Sequence, residues 1–135
     1  MALPKLPLDV FSASRQLLSG NWANAISNLL TTTTGSTPIT ALAGGGLSAA
    51  TPVLNNAFNE LGVVANANDS VVLPLAKAGL KIGVINSGNQ SAQIFANGTD
   101  TINGTAGNVG VALASGATAI YVCFRDGIWK RFVSA

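Results

Sequence analysis

The side chains of this sequence that could take part in catalysis are few and widely spaced. The chain contains no histidine, one cysteine and five carboxylates, which are Asp9, Glu60, Asp69, Asp100 and Asp126. Histidine is the commonest general base and the commonest metal ligand, so its absence removes most hydrolase and metal chemistry. Carboxylates this far apart could form an acid–base pair only if the fold brought them together. We therefore predict that the protein is not an enzyme and uses no metal and no cofactor.

Two further features point to structure rather than chemistry. Cys123 lies in the apolar run TAIYVCF, where no neighbouring residue favours a thiolate, so we expect a buried structural thiol. The stretch VINSGNQSAQIFANGTDTINGTAG contains two Asn-Gly pairs, at 97–98 and 103–104, which are typical of tight turns. Asp100 lies between them and is predicted to hydrogen-bond its own backbone in a turn. We interpret this stretch as β-scaffolding, with Ile102 packed between the two turns.

The composition indicates a surface that is largely uncharged. Only 9% of the 135 residues are charged, against roughly 25% in an average domain, while 48% are hydrophobic. A surface made mostly of Asn, Ser, Thr, Gly and Ala is expected to be covered in part by copies of the chain or by a larger assembly.

Membrane and nucleic-acid binding are both disfavoured by the sequence. No run approaches the ~18 apolar residues of a membrane span. The opening residues, MALPKLPLDVF, contain two prolines and no continuous apolar stretch, so no secretory signal is expected. The net charge is +2, and the only basic residues that gather are Arg125, Lys130 and Arg131. This cluster is too small for a phosphate-binding groove, so no nucleic-acid partner is predicted.

Residues 1–35 have a helical pattern. Asp9 and Asn21 are candidate N-caps, and the apolar spacing predicts two short amphipathic helices, or one helix kinked near 19–20, before a Thr-rich linker. Helices this short need a partner surface, which is either the β-domain of the same chain or another protein. The candidate docking residues of this arm are Val10, Phe11, Leu17, Leu18, Trp22, Ile26, Leu29 and Leu30.

Residues 36–135 have a β pattern, apart from a brief helical spacing near 55–61. Short apolar runs alternate with Gly-, Asn- and Asp-rich turns, which is typical of a sandwich or small barrel. We therefore predict a mainly β fold, a compact antiparallel β-sandwich of jelly-roll or barrel-like form, preceded by the helical arm. The predicted strands are 38–42, 62–65, 70–73, 81–86, 92–96, 109–113, 118–124 and 128–133.

The C-terminal hairpin is the best-specified element. Asp126-Gly127 predicts a two-residue type I′ turn, which would pair Phe124 with Trp129 and Tyr121 with Phe132. Both faces of this hairpin are apolar, so one face should fill the core and the other should meet a neighbouring copy. Tyr121 and Phe132 are therefore the candidate residues of an interface between copies.

The segments KIGVINSG, IFANGTDTING and TAIYVCF with GIWKRF, together with GGGLSAATP and NDSVVLP, resemble small virion proteins of tailed bacteriophages. The resemblance covers roughly residues 37–135. It extends to capsid decoration, or cement, proteins, which are β-sandwich domains, often homotrimeric, on the outside of the phage head. Small β-domains of this kind also occur at the tips of phage fibres and tailspikes.

The resemblance implies a non-enzymatic role on the outer capsid surface, after assembly in the host cytoplasm. The expected partners are further copies of the chain in a homotrimer and the major capsid protein, with the N-terminal arm as a clamp between capsomers. The alternative is a receptor- or glycan-binding module of a fibre or tailspike, with a host-surface glycan as partner. The aromatic residues gather beside basic residues rather than carboxylates, which favours a protein partner over a sugar.

Overall fold

The computed structural model describes residues 37–134, and this part of the chain is built from strands. The predicted helical arm, its eight docking candidates and the domain boundary near residue 35 lie outside the described residues, so they stay predictions. The strands are β1 Ile39–Thr40, β2 Phe58–Val63, β3 Ser70–Val72, β4 Lys81–Asn86, β5 Ala92–Phe95, β6 Thr101–Ile102, β7 Thr105–Ala106, β8 Val111–Leu113, β9 Thr118–Arg125 and β10 Ile128–Val133.

The strands form two sheets of unequal size. The large sheet has seven strands in the order β1-β2-β4-β9-β10-β6-β7, and the small sheet has the order β3-β5-β8. Four pairings are parallel, namely β1 with β2, β2 with β4, β6 with β10 and β3 with β5. The mainly β fold is therefore confirmed. The predicted antiparallel jelly-roll arrangement is wrong, because a jelly roll is built of antiparallel strands and four of the eight strand pairings described here are parallel.

One apolar core lies between the two sheets. The large sheet contributes Leu61, Val84, Tyr121 and Trp129, which are all buried. The small sheet contributes Val71, Ile94 and Leu113 from its three strands. Removing each large side chain from water stabilises the fold by roughly 1.5–3 kcal/mol, so this shared cluster is the main force that holds the sheets together.

Two polar side chains also join the sheets. Asn86, at the end of β4, is fully buried, and its Nδ2 donates to the carbonyls of Gln90 at 2.8 Å and Leu113 at 2.9 Å. Its Oδ1 accepts a hydrogen bond from the backbone N–H of Gly88 at 3.0 Å. Arg131 of β10 donates from Nη2 to the carbonyl of Ala112 in β8 at 2.6 Å. β8 is an edge strand, so this contact also occupies a backbone acceptor that would otherwise be available to another chain.

The Asn103-Gly104 pair forms the predicted tight turn. Ile102 pairs with Thr105, which leaves two loop residues between β6 and β7, and both loop residues have positive φ, 51° for Asn103 and 89° for Gly104. These are the features of a type I′ hairpin. No strand was predicted on either side of this turn, because runs of two residues carry no measurable alternation.

The C-terminal hairpin differs from its predicted register by one residue. Gly127 has a φ of 81°, but Asp126 is not among the described residues with positive φ, so the turn is not type I′. A bulge follows, since Ile128 pairs with Arg125 and Trp129 pairs with Cys123. Phe124 is the extra residue on β9, and a single extra residue shifts the register of everything after it.

This shift corrects the predicted faces of the hairpin. Tyr121 pairs with Arg131, and Phe132 pairs with Ile120. Tyr121 is fully buried in the core, so it has no surface to offer to a neighbouring copy. Phe132 lies on the opposite face and is 58% exposed. The pairing of Tyr121 with Phe132 was therefore wrong, and only Phe132 retains the position of an interface candidate.

Candidate interaction surface

The acidic residues of the described chain serve mainly to hold loops together. Asp69 is buried and accepts from three backbone N–H groups: that of Gly44 at 3.0 Å, that of Ala65 at 3.1 Å and that of Asn66 at 2.9 Å. The hydrogen bond from Asn66 is the main cause that lowers the pKa of Asp69, against the opposing effect of burial. Asp69 thus fastens the glycine-rich loop after β1 to the turn before β3.

Asp100 and Asp126 fasten a second loop. Asp100 accepts from the backbone N–H of Ala76 at 2.6 Å, so its side chain bonds a distant loop rather than its own turn as predicted. Asp126 accepts from the N–H of Ala78 at 2.9 Å and pairs with Lys77 at 3.1 Å. The N–H of Ala78 is the main cause that lowers the pKa of Asp126, and Lys77 adds to the effect.

The cysteine is buried, as predicted. Cys123 is 1% exposed, and its Sγ donates to the carbonyl of Arg125 at 3.0 Å. Among residues 37–134, no three His, Cys, Asp or Glu side chains gather closely enough to hold a metal ion. A separate finding concerns the membrane: in the described part of the chain, no helix is long and apolar enough to cross a bilayer.

The surface feature that stands out is the outer face of the large sheet, the side turned away from the core. Because side chains alternate along a strand, residues that pair across neighbouring strands point to the same side. Five of the outer side chains are both apolar and exposed, which is unusual for a contiguous surface of a soluble monomer: Phe58, Ile85, Ile120, Phe124 and Phe132. The outer face consists of the paired residues Phe58, Glu60, Lys81, Gly83, Ile85, Thr118, Ile120, Val122, Lys130 and Phe132, together with Phe124, the exposed bulge residue of β9.

The aromatic residues of the outer face are exposed to an unusual degree. Phe58 is 60% exposed and Phe124 is 68% exposed, and Ile85 and Ile120 are also exposed. The position of the Phe58 ring depends on the absence of a side chain at Gly83. A Cβ atom at Gly83 would come within 2.6 Å of this ring. The ring therefore lies over the strand where Gly83 has no side chain, and the outer face stays flat at this point.

Two open depressions lie on the outer face. The first has a volume of about 240 Å³ and is lined by Phe58, Glu60, Gly83, Ile85 and Thr118, with two residues below them. The second has a volume of about 550 Å³ and lies at the turn end of the hairpin, where the bulged residue projects. Its lining is formed by Thr101, Asn103, Gly104, Phe124, Arg125, Ile128 and Lys130.

Most residues of the outer face were not identified as interface candidates from the sequence. Both faces of the hairpin were predicted to be apolar, so the sequence did not decide whether Ile120 and Phe124 face the core or the outside. Phe58 was missed because its strand was placed at 62–65, although FNELGV alternates in a way that places Phe58 and Glu60 on one side. Asn59 and Leu61, which alternate with Phe58 and Glu60, are buried, and this places Phe58 and Glu60 on the outer side of the sheet.

No protein-family model matches this chain, and no curated protein matches it.

Proposed function

We propose that the protein is a non-enzymatic structural protein of a phage virion, which binds the outer surface of the head as a homotrimer and reinforces contacts between capsomers. The observation that carries the proposal is the exposed apolar outer face of the large sheet. An apolar surface of this kind on a small β-domain is suited to contact with other proteins.

The distribution of the carboxylates supports the same proposal. Asp69, Asp100 and Asp126 are each committed to backbone hydrogen bonds that hold loops. Such carboxylates are held in fixed positions as hydrogen-bond acceptors, whereas a general acid or base needs an accessible proton near a substrate. Three of the four acidic residues of the described chain therefore hold loops in place, which suits a clamp that must resist outward pressure.

A symmetric oligomer would bind the capsid more tightly than a single copy. A closed ring of copies lets several modest contacts act together, so the second and third contacts form at high effective concentration. The proposed site of action is the outer capsid surface, reached after synthesis in the host cytoplasm, with the major capsid protein as the partner. The finer proposal of a clamp formed by residues 1–35 belongs to the same hypothesis.

The test uses the full chain and heads of the encoding phage that lack it. Purified protein should form a trimer by native mass spectrometry, co-sediment with the heads at a saturable ratio, and raise the temperature at which they release DNA. Deleting residues 1–35 should leave a folded trimer that no longer binds. Protein that fails to bind heads at concentrations far above those in an infected cell would overturn the proposal.

A second candidate is a receptor- or glycan-binding module, which one feature favours. The depression of about 240 Å³ combines an exposed aromatic ring, Phe58, with the carboxylate of Glu60, a pairing found in sugar sites. Binding of the full chain to a glycan array, lost on Phe58→Ala, would favour this candidate over the capsid role.

A further inference from the structure

The outer face has an ordered pattern of apolar and charged residues. Phe58 pairs with Gly83, Gly83 pairs with Ile120, and Ile120 pairs with Phe132. These residues, the central row, therefore form a line across four strands, perpendicular to the strand direction. The three side chains of the row are all exposed, at 60%, 46% and 58%.

Opposite charges flank the central row. One flank lies two residues away from the central row, measured along each strand. It consists of Glu60, Ile85 and Thr118, and we call it the acidic flank. The other flank, two residues in the opposite direction, contains Lys81, Val122 and Lys130, and we call it the basic flank. Each flank lies about 7 Å from the row, given a rise of ~3.3 Å per residue.

The charges of the two flanks are not neutralised by the described residues. Within residues 37–134, the ion pair present joins Lys77 to Asp126 and involves neither flank. Lys81 and Lys130 are exposed, and Glu60 is half-buried. A face with a central apolar row and opposite charges on its two sides is complementary to itself when one copy is turned relative to the next.

We propose that copies of the chain associate through the outer face, with the central row lying along the symmetry axis. The acidic flank of each copy then meets the basic flank of the next, and the exposed side chains of the row are buried at the axis. The number of copies, three, rests on the proposed function. The pairing of the flanks follows from the charge pattern for any closed ring about this axis.

The strand order specifies which lysine meets Glu60. A rotation about an axis along the central row does not shift one copy along that axis. A residue on a given strand of one copy therefore lies opposite the same strand, or a neighbouring one, of the next copy. Glu60 lies on β2 and Lys81 on the adjacent strand β4, one strand spacing of about 4.8 Å away. Lys130 lies on β10, three spacings or roughly 14 Å away along the row. Glu60 therefore meets Lys81 of the next copy, and Lys130 does not take part in this pair.

The test is a charge swap in the full chain, read by sedimentation velocity and native mass spectrometry at low salt. Glu60→Lys and Lys81→Glu should each raise the dissociation constant of the oligomer about tenfold or more, because each change acts at every interface of the ring. The double variant should recover most of the wild-type affinity. Lys130→Glu is the matched control, and combining it with Glu60→Lys should recover nothing. Circular dichroism verifies that each variant is folded.

The outcomes separate this inference from the proposed function. A trimer that is insensitive to all three charge changes, or one that the Lys130 swap restores as well as the Lys81 swap, overturns the inference and leaves the capsid role standing. A dimer that follows the predicted swap supports the inference and overturns the trimer. Wild-type protein that stays monomeric at high concentration overturns self-association, whatever its binding to heads.

Discussion

Replacing Asn86 by aspartate should destabilise the domain strongly and make its stability depend on pH. The Asn86 amide donates to two carbonyls, at 2.8 Å and 2.9 Å, and the side chain is fully buried. An ionised aspartate has no hydrogen to donate, so both carbonyls lose the Asn86 amide and face a negative charge. The carbonyl of Leu113 keeps only a longer hydrogen bond from the Ser91 hydroxyl, at 3.4 Å, and Gln90 is exposed to water. A buried polar group left unpaired costs about 1–3 kcal/mol, so we expect the free energy of unfolding to fall by roughly that amount.

The pH dependence follows from the same geometry. Two facing carbonyl oxygens and burial both disfavour the ionised carboxyl, so the pKa of the introduced carboxyl in the folded variant should lie above its unfolded value of about 3.9. Between those two pKa values the native state binds the proton and the unfolded state does not. The free energy of unfolding should therefore fall by about 1.4 kcal/mol per pH unit as pH rises through this window.

Urea unfolding at several pH values measures this effect. Trp129 is fully buried and provides the fluorescence signal when Trp22 is replaced by Phe in every protein compared. Asn89→Asp is the matched control, because Asn89 is exposed three residues away and the same change there should stay within about 0.5 kcal/mol. If Asn86→Asp is as stable as this control at pH 7, or if its deficit does not vary with pH, the role assigned to the Asn86 amide is wrong.

Three further predictions concern buried groups that can be titrated or labelled. Burial, partly offset by the charge of Arg131, raises the pKa of Tyr121 to about 12. Tyr121 is the single tyrosine, so absorbance titration of the native protein should show ionisation near pH 12, and stability should fall above pH 10 as the unfolded chain ionises first. Because hydrogen bonds lower the pKa of Asp69 below 3.8, its contribution is complete above that pH and is lost as pH falls through the folded pKa. Asp69→Asn should therefore be less stable than wild type at pH 7, with a gap in unfolding free energy that narrows below pH 3.8. Cys123, which is 1% exposed, should resist a thiol reagent in the native protein and react once urea unfolds it.

Local signals in the sequence were sufficient for several strands and one turn. The strands Lys81–Asn86 and Ile128–Val133 have the predicted bounds, because each is a β-branched and apolar run between clear turn residues. The Asn103-Gly104 turn also formed as predicted, since both of its residues tolerate positive φ. These features depend on the residues themselves and on their immediate neighbours.

Features that depend on residues far apart in the chain could not be predicted from local sequence patterns. The direction of a pairing, such as β2 parallel to β4, is decided by the path of the intervening chain and leaves no local pattern. Strand Phe58–Val63 was mostly missed, because its first residues lie within the run 55–61, which also has helical spacing. The exposed face of the hairpin was not predictable from alternation, since apolar residues occupy both faces of β9.

The bulge at the C-terminal hairpin connects the local turn to the proposed assembly. Without the bulge, Trp129 would lie on the same face as Ile120 and Phe124. Arg131 would then point to the outer side, and Lys130 would point to the core. The bulge reverses this alternation on β10, so Trp129 enters the core and Arg131 reaches the carbonyl of Ala112 in the other sheet. The same reversal brings Phe132 into line with Ile120 and Lys130 into line with Val122. One extra residue on β9 thus closes the core on one side and completes the apolar row and basic flank on the other, so selection for packing and for association would act on the same turn.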